Sequence, residues 1–76
     1  MKEILETLIK SLVEKQNDVT ITEKPEEKQT VYEVKVAESD MGKVIGKQGR
    51  VAKSIRTVMK SIAGKEHKKI VIEFLG

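Results

Sequence analysis

Three glycines and two lysines fall within eight residues at Gly42-Lys43-Val44-Ile45-Gly46-Lys47-Gln48-Gly49. Glycine lets backbone N–H groups come close to an anion and lysine neutralises it, so the composition is that of a phosphate-binding loop. The spacing excludes the two commonest nucleotide loops. A Walker A loop encloses four residues between its glycines and continues Lys-Ser/Thr, whereas Gly42 and Gly46 enclose three and Gln48 follows Lys47. A dinucleotide fingerprint needs a glycine two residues after its first, where Val44 stands. What the segment does satisfy is a Gly-x-x-Gly turn, Gly46-Lys47-Gln48-Gly49, entered through Val44 and Ile45 and left through Arg50. A backbone without Cβ at both glycines can press against a sugar-phosphate chain. The N–H groups and dipole of a helix starting there favour phosphate, and Lys47 and Arg50 add charge.

Catalytic chemistry finds little to work with. The one histidine, His67, lies in a basic stretch with no cysteine in the chain and only Glu66 beside it. Ser11, Ser39, Ser54 and Ser61 have no evident His partner, so no nucleophilic triad can be assembled. Asp18, Asp40 and the scattered glutamates show no calcium or zinc spacing. No enzyme, metal or cofactor is expected.

The elements that must hold the loop follow from hydrophobic periodicity. Residues 2–15 place Ile4, Leu5, Leu8, Ile9, Leu12 and Val13 on one half of a helical wheel, which predicts an amphipathic helix ending at Gln16-Asn17-Asp18. Residues 19–23 alternate as a short strand. A five-residue loop, 24–28, leads to a second strand through Tyr32, Val34 and Val36. Ser39 or Asp40 is placed to cap a short helix, 41–45, stopped by Gly46. A second helix starts near Gly49 with Val51, Ile55, Val58, Met59 and Ile62 as its buried stripe, Arg50, Lys53, Arg56 and Lys60 opposite, and Gly64 as its C-cap. Ile70, Ile72 and Phe74 alternate with Val71, Glu73 and Leu75 in a last strand expected to bury both faces. The order αββααβ predicts an α+β fold: a three-stranded mixed sheet, its last two strands parallel, with three helices on one face.

Length and charge bound the function. The 76 residues have room for one domain, 1–76, with a single core. The longest apolar run is Ile70-Val71-Ile72, so no segment spans a bilayer or forms a signal peptide, and a cytoplasmic location follows by default. The net charge of +3 hides a segregation. Residues 42–69 hold nine Lys or Arg and one acid, whereas residues 1–41 hold six basic and ten acidic residues. Such asymmetry points to a polyanion partner, nucleic acid or an anionic membrane surface, against the plainer reading of a solvated helix face.

The stretch 42–58, with its Gly-Lys-Gln-Gly turn between two helices, resembles a KH domain, and the helix-first order resembles the type II arrangement. Across essentially the whole chain the sequence is similar to small bacterial single-KH proteins of the KhpA type. The resemblance implies a loop, Gly46, Lys47, Gln48 and Gly49, that clamps about four nucleotides of single-stranded RNA, with Val44, Ile45 and Ile55 as the family's apolar helix positions. It also implies a short variable loop at 64–69, a homodimer, and a larger KH-containing RNA-binding partner of the KhpB or Jag kind. Val71 and Leu75 on the outer sheet face, or the third helix, are the expected dimer contacts. In the expected complex phosphates meet Lys47 and Arg50, and bases lie on an aliphatic floor of Val44, Ile45 and Ile72. Lys43, Lys53 and Arg56 add longer-range attraction, while no membrane is involved. The alternative is a protein-interaction module that dimerises or docks on another RNA-binding protein, with its basic face incidental.

Overall fold

The computed structural model describes residues 1–75. Helix α1 spans Lys2–Lys10, with Leu5 and Ile9 fully buried and a Lys10–Glu6 ion pair of 3.0 Å along its outer face. It ends five residues before the expected position 15. Ser11 Oγ donates to the Leu8 carbonyl at 2.7 Å, and the Leu12 N–H reaches Ile9 rather than Leu8, which tightens the last turn. Beyond it the N–H groups of Glu14 and Lys15, which a longer helix would have turned inward along its axis, donate to the Asp40 carboxylate at 3.2 and 3.0 Å. Val13 still reaches the core, but Ile4 and Leu12 are left exposed.

Strand β1, Thr20–Pro25, pairs antiparallel with β2, Thr30–Lys35, in a register that sets Ile21 opposite Val34 and Glu23 opposite Tyr32. The hairpin loop has four residues, not five, because Pro25 stays in the ladder opposite Thr30. Proline is tolerated there since β1 is an edge strand. The loop closes through Glu26 N–H to the Gln29 carbonyl at 2.7 Å. Tyr32 donates its hydroxyl proton to Glu23 at 3.1 Å, and burial together with that bond raises its pKa.

A 3-10 turn, Glu38–Asp40, feeds helix α2, Met41–Ile45, and a second one, Lys47–Gly49, feeds helix α3, Arg50–Lys65. The return through these helices brings β3, Ile70–Leu75, parallel to β2, giving the sheet order β1-β2-β3. This is the expected α+β, KH-like αββααβ arrangement. No helix among the described residues is long and apolar enough to cross a membrane.

The buried line of α3 is Ala52, Ile55, Met59 and Ala63, rotated from the predicted stripe. Val51 and Ile62 are half-buried and Val58 is 46% exposed. Two alanines let the helix backbone approach the sheet closely, so the bulkier valines are turned towards α1 and solvent. The helix also passes Gly64. It stops in a Schellman motif: the Lys68 N–H reaches the Ala63 carbonyl at 2.8 Å and the His67 N–H reaches Gly64 at 3.1 Å. His67 takes the left-handed position, φ +57, that glycine usually fills. In β3, Ile70 and Ile72 are buried and Phe74 is half-buried. On the outer face only Val71 is partly covered, opposite Val31, while Glu73 and Leu75 are exposed. The expectation of a strand buried on both faces is corrected accordingly.

Asp40 is 2% exposed, and its bonds to the Lys15 and Glu14 N–H groups and the nearby Lys43 hold its pKa below the ordinary carboxylate value. A lowered folded-state pKa contributes stability above the unfolded value of about 3.9, and that contribution is lost as pH falls through the folded pKa. Asp40→Asn is therefore expected to melt below the parent at pH 7. The two melting temperatures should converge as the pH is lowered into the strongly acid range. A gap in melting temperature that persists undiminished down to pH 2 would refute this role of the charge.

Candidate nucleic-acid interface

The loop between α2 and α3 is shaped by backbone conformations that only certain residues adopt. The Gly46 N–H closes α2 on the Gly42 carbonyl at 2.8 Å, after which Gly46 takes φ 75 and ψ 177. That region is essentially restricted to glycine. Packing adds a second restriction, since a Cβ at Gly46 would lie 2.4 Å from Val51 Cγ2 and 2.9 Å from the Val51 backbone nitrogen. Gln48 and Gly49 are left-handed at φ 56 and 74, yet a Cβ at Gly49 would meet nothing within 4 Å. Gly46 is thus required by conformation and by packing, and Gly49 by conformation alone. The result is a single tight turn, closed by Gly49 N–H to the Gly46 carbonyl at 3.3 Å, that holds Lys47 and Gln48 exposed at its tip.

Neither Ser39 nor Asp40 caps α2, because the Asp40 carboxylate is turned to the Glu14 and Lys15 N–H groups. The first turn of α3 has no side-chain cap either. Its N-terminal N–H groups lie beside Lys47 and Arg50, a combination that favours an anion. Lys47, Arg50 and Lys53 are exposed and enter no ion pair among the described residues. Lys43 differs. It sits 2.8 Å from Glu14 and 3.6 Å from Asp40, with its pKa raised chiefly by the Glu14 bond, so much of its charge is answered inside the molecule.

Arg56 is held more firmly than a distant attractor would be. It is half-buried, its Nε donates to the Ile72 carbonyl at 3.1 Å, and its guanidinium lies 5.1 Å from the centre of the Phe74 ring. The aliphatic floor needs correction. Val44 is 0% and Ile72 3% exposed, so both belong to the core and support the loop and β3 from below. Only Ile45 of the three is half-exposed beside the loop.

Sequence reasoning missed three partners. Val51 fixes Gly46, Asp40 joins the α1 terminus to α2, and Phe74 seats Arg56. The Asp40 contact spans 25 positions, beyond any periodicity, whereas an acid two residues before the basic half was a usable signal.

Gly46→Ala is expected to cost about 3 kcal/mol or more, combining a forbidden backbone region with overpacking, and Gly49→Ala about 1 kcal/mol. Urea denaturation of the two variants checks this. Val51→Ala should recover part of the Gly46→Ala loss by removing the nearest methyl, and equal losses at both glycines would refute the packing account.

A family model described as the KH domain of KhpA/KhpB matches residues 2–74. A protein named RNA-binding protein KhpA from Clostridium perfringens is 55% identical over 75 residues, covering 99% of this chain and 100% of that one. Proteins of the same name from Clostridium acetobutylicum and Caldanaerobacter subterraneus subsp. tengcongensis are 53% and 44% identical, each over 99% of this chain and 100% of their own. No solved structure gives a significant match. With the αββααβ order, the mixed sheet and a glycine-bounded turn between α2 and α3 all in place, the chain belongs to the KhpA/KhpB family of KH domains.

Proposed function

We propose that this chain is a non-catalytic RNA-binding module whose loop of Gly46, Lys47, Gln48 and Gly49 clamps the backbone of single-stranded RNA. The observation that carries the reading is the exposed loop tip beside the uncapped α3 N-terminus, with Lys47, Arg50 and Lys53 unpaired by any acid among the described residues. Relatives that carry the name RNA-binding protein over the same length support it. Phosphates meet Lys47, Arg50 and the first N–H groups of α3, and the strand continues past Ile45 towards Lys53 and Arg56. Lys43, paired with Glu14, contributes less than its position suggests. Val44 and Ile72 act from below, by seating the elements that flank the strand.

A second reading concerns partners. Leu8, Leu12, Val51, Ile55 and Val58 line a shallow apolar groove between α1 and α3, and Ile4, Leu12 and Val58 are large apolar side chains left exposed. Such a surface fits a homodimer contact on the helical side better than the outer sheet face, where Leu75 stands beside Glu73 and Lys35. The same groove could receive the KH domain of a larger KhpB-type RNA-binding protein, the family name covering both kinds of chain.

With about three phosphates neutralised, log K should fall with log[salt] at a slope of roughly −2. The double change Lys47→Asp with Gln48→Asp keeps both glycines, and aspartate tolerates the left-handed position of Gln48. It should change stability by under about 0.5 kcal/mol but lower RNA affinity by about tenfold or more, charge repulsion replacing attraction at the contact. A Lys60→Asp control on the same helix should lose much less. Equal losses in the two variants would leave general charge, not a clamp, as the cause. For the groove, sedimentation across a concentration series should show parental self-association and a monomer for Val58→Asp; a parent that stays monomeric throughout refutes the homodimer.

A further inference from the structure

Of the nine Lys and Arg in residues 42–69, Lys43 alone is paired with acids of the first half among the described residues. Its Nζ lies 2.8 Å from Glu14 Oε1 and 3.6 Å from Asp40 Oδ1. The two acids do different work. Asp40 is buried, and its carboxylate accepts from the Glu14 and Lys15 N–H groups at 3.2 and 3.0 Å. Those bonds are made to backbone, so they hold residue 14 beside α2 whatever side chain it carries. The Glu14 side chain is 81% exposed and has Lys43 as its one partner among the described residues. A pair this exposed adds little stability, so the fold does not depend on the Glu14 charge. The backbone tether nevertheless keeps that charge at Lys43 permanently, as an intramolecular competitor for any anion that arrives.

Lys43 stands about one helical turn before Gly46, on the helix that leads into the loop. Free, its ammonium is a mobile point charge on a four-carbon stem, suited to a phosphate. Paired, it must leave Glu14 before it can meet one. The contact then trades one anion for another, with little net attraction and little release of counterions. An exposed pair shifts such an equilibrium by about 1.5- to 5-fold, enough to depress affinity and too little to keep phosphate out. We propose that Glu14, held beside α2 by Asp40, is a built-in brake on the RNA site: it occupies Lys43, and its removal gives the bound strand a further phosphate contact. The proposal rests on the reading of the loop as an RNA clamp and names the residue that limits the affinity of that clamp.

The test titrates a fluorescently labelled octamer of uridine into the full chain and its variants at about 50 and 200 mM salt. Glu14→Gln removes the charge and keeps the N–H on which Asp40 depends. It should bind about two- to fivefold tighter than the parent at the lower salt, and the gap should narrow at the higher salt. Its salt slope should be steeper by about 0.7, the increment for one more phosphate on a single strand. Glu38→Gln removes the same charge from an exposed acid that enters no ion pair among the described residues. It should change the affinity by less than about 1.5-fold and leave the slope as it is. In a Lys43→Gln background, Glu14→Gln should gain no more than Glu38→Gln does. A Glu14→Gln variant that binds like the parent, or gains no more than Glu38→Gln, overturns the proposal. So does an equal gain with and without Lys43, which would make the effect general repulsion. If Lys43→Gln folds poorly, the slopes of the two single variants decide: equal slopes overturn the brake. These outcomes leave the clamp standing, whereas an octamer that binds neither the parent nor any variant removes the clamp reading and the brake together.

Discussion

At Gly46 the chain turns through a conformation closed to side chains, with Val51 standing where a Cβ would project. The close approach of these two residues sets how α2 leads into α3, and much else depends on it. Val44 can enter the core only because the chain reverses within four residues, and α3 can lay Ala52, Ile55, Met59 and Ala63 on the sheet only from that starting point. The same reversal leaves Lys47 and Gln48 nothing to pack against, so the most constrained backbone in the molecule carries two of its freest side chains. Rigid presentation of flexible, polar groups suits a partner whose own shape is variable.

The distribution of ion pairs matters as much as net charge. Glu14 and Asp40 take Lys43, Glu33 takes Lys24 and Glu6 takes Lys10, so several acids of the first half are spent on structure. Surface pairs of this kind add little stability. Their effect here is to pair acids of the first half with bases of that half or of α2, which leaves the basic residues of α3 with no acid partner among the described residues.

The parts of this fold that were legible in sequence are those set by local rules. Helix α2 falls where expected, at Met41–Ile45, because a glycine ends it, and the strands and their order follow from alternation and connection length. What was not legible arises from distance or from small residues. The end of α1 depends on Asp40, far along the chain. The buried stripe of α3 depends on Ala52 and Ala63, which carry little weight in a hydrophobic pattern yet decide which face comes closest to the sheet. Gly64 looked like the helix terminus, but the helix continues to Lys65 and His67 takes the left-handed position. In the candidate site, the loop residues and their exposure were readable, whereas the burial of Val44 and Ile72 was not. Apolar residues beside a functional turn look the same in sequence whether they form a floor or a foundation.

Both edges of the small sheet are blunted. On β1, Lys24 and Pro25 occupy successive ladder positions, and proline offers no N–H to a newcomer. On β3, Arg56 already covers the carbonyl of the central residue Ile72. Neither edge is a ready template for a strand from a neighbouring molecule, which protects a 76-residue chain from the edge-to-edge stacking that leads to aggregation. Association is thereby channelled to surfaces made of side chains, which can be specific and reversible where shared backbone ladders are neither.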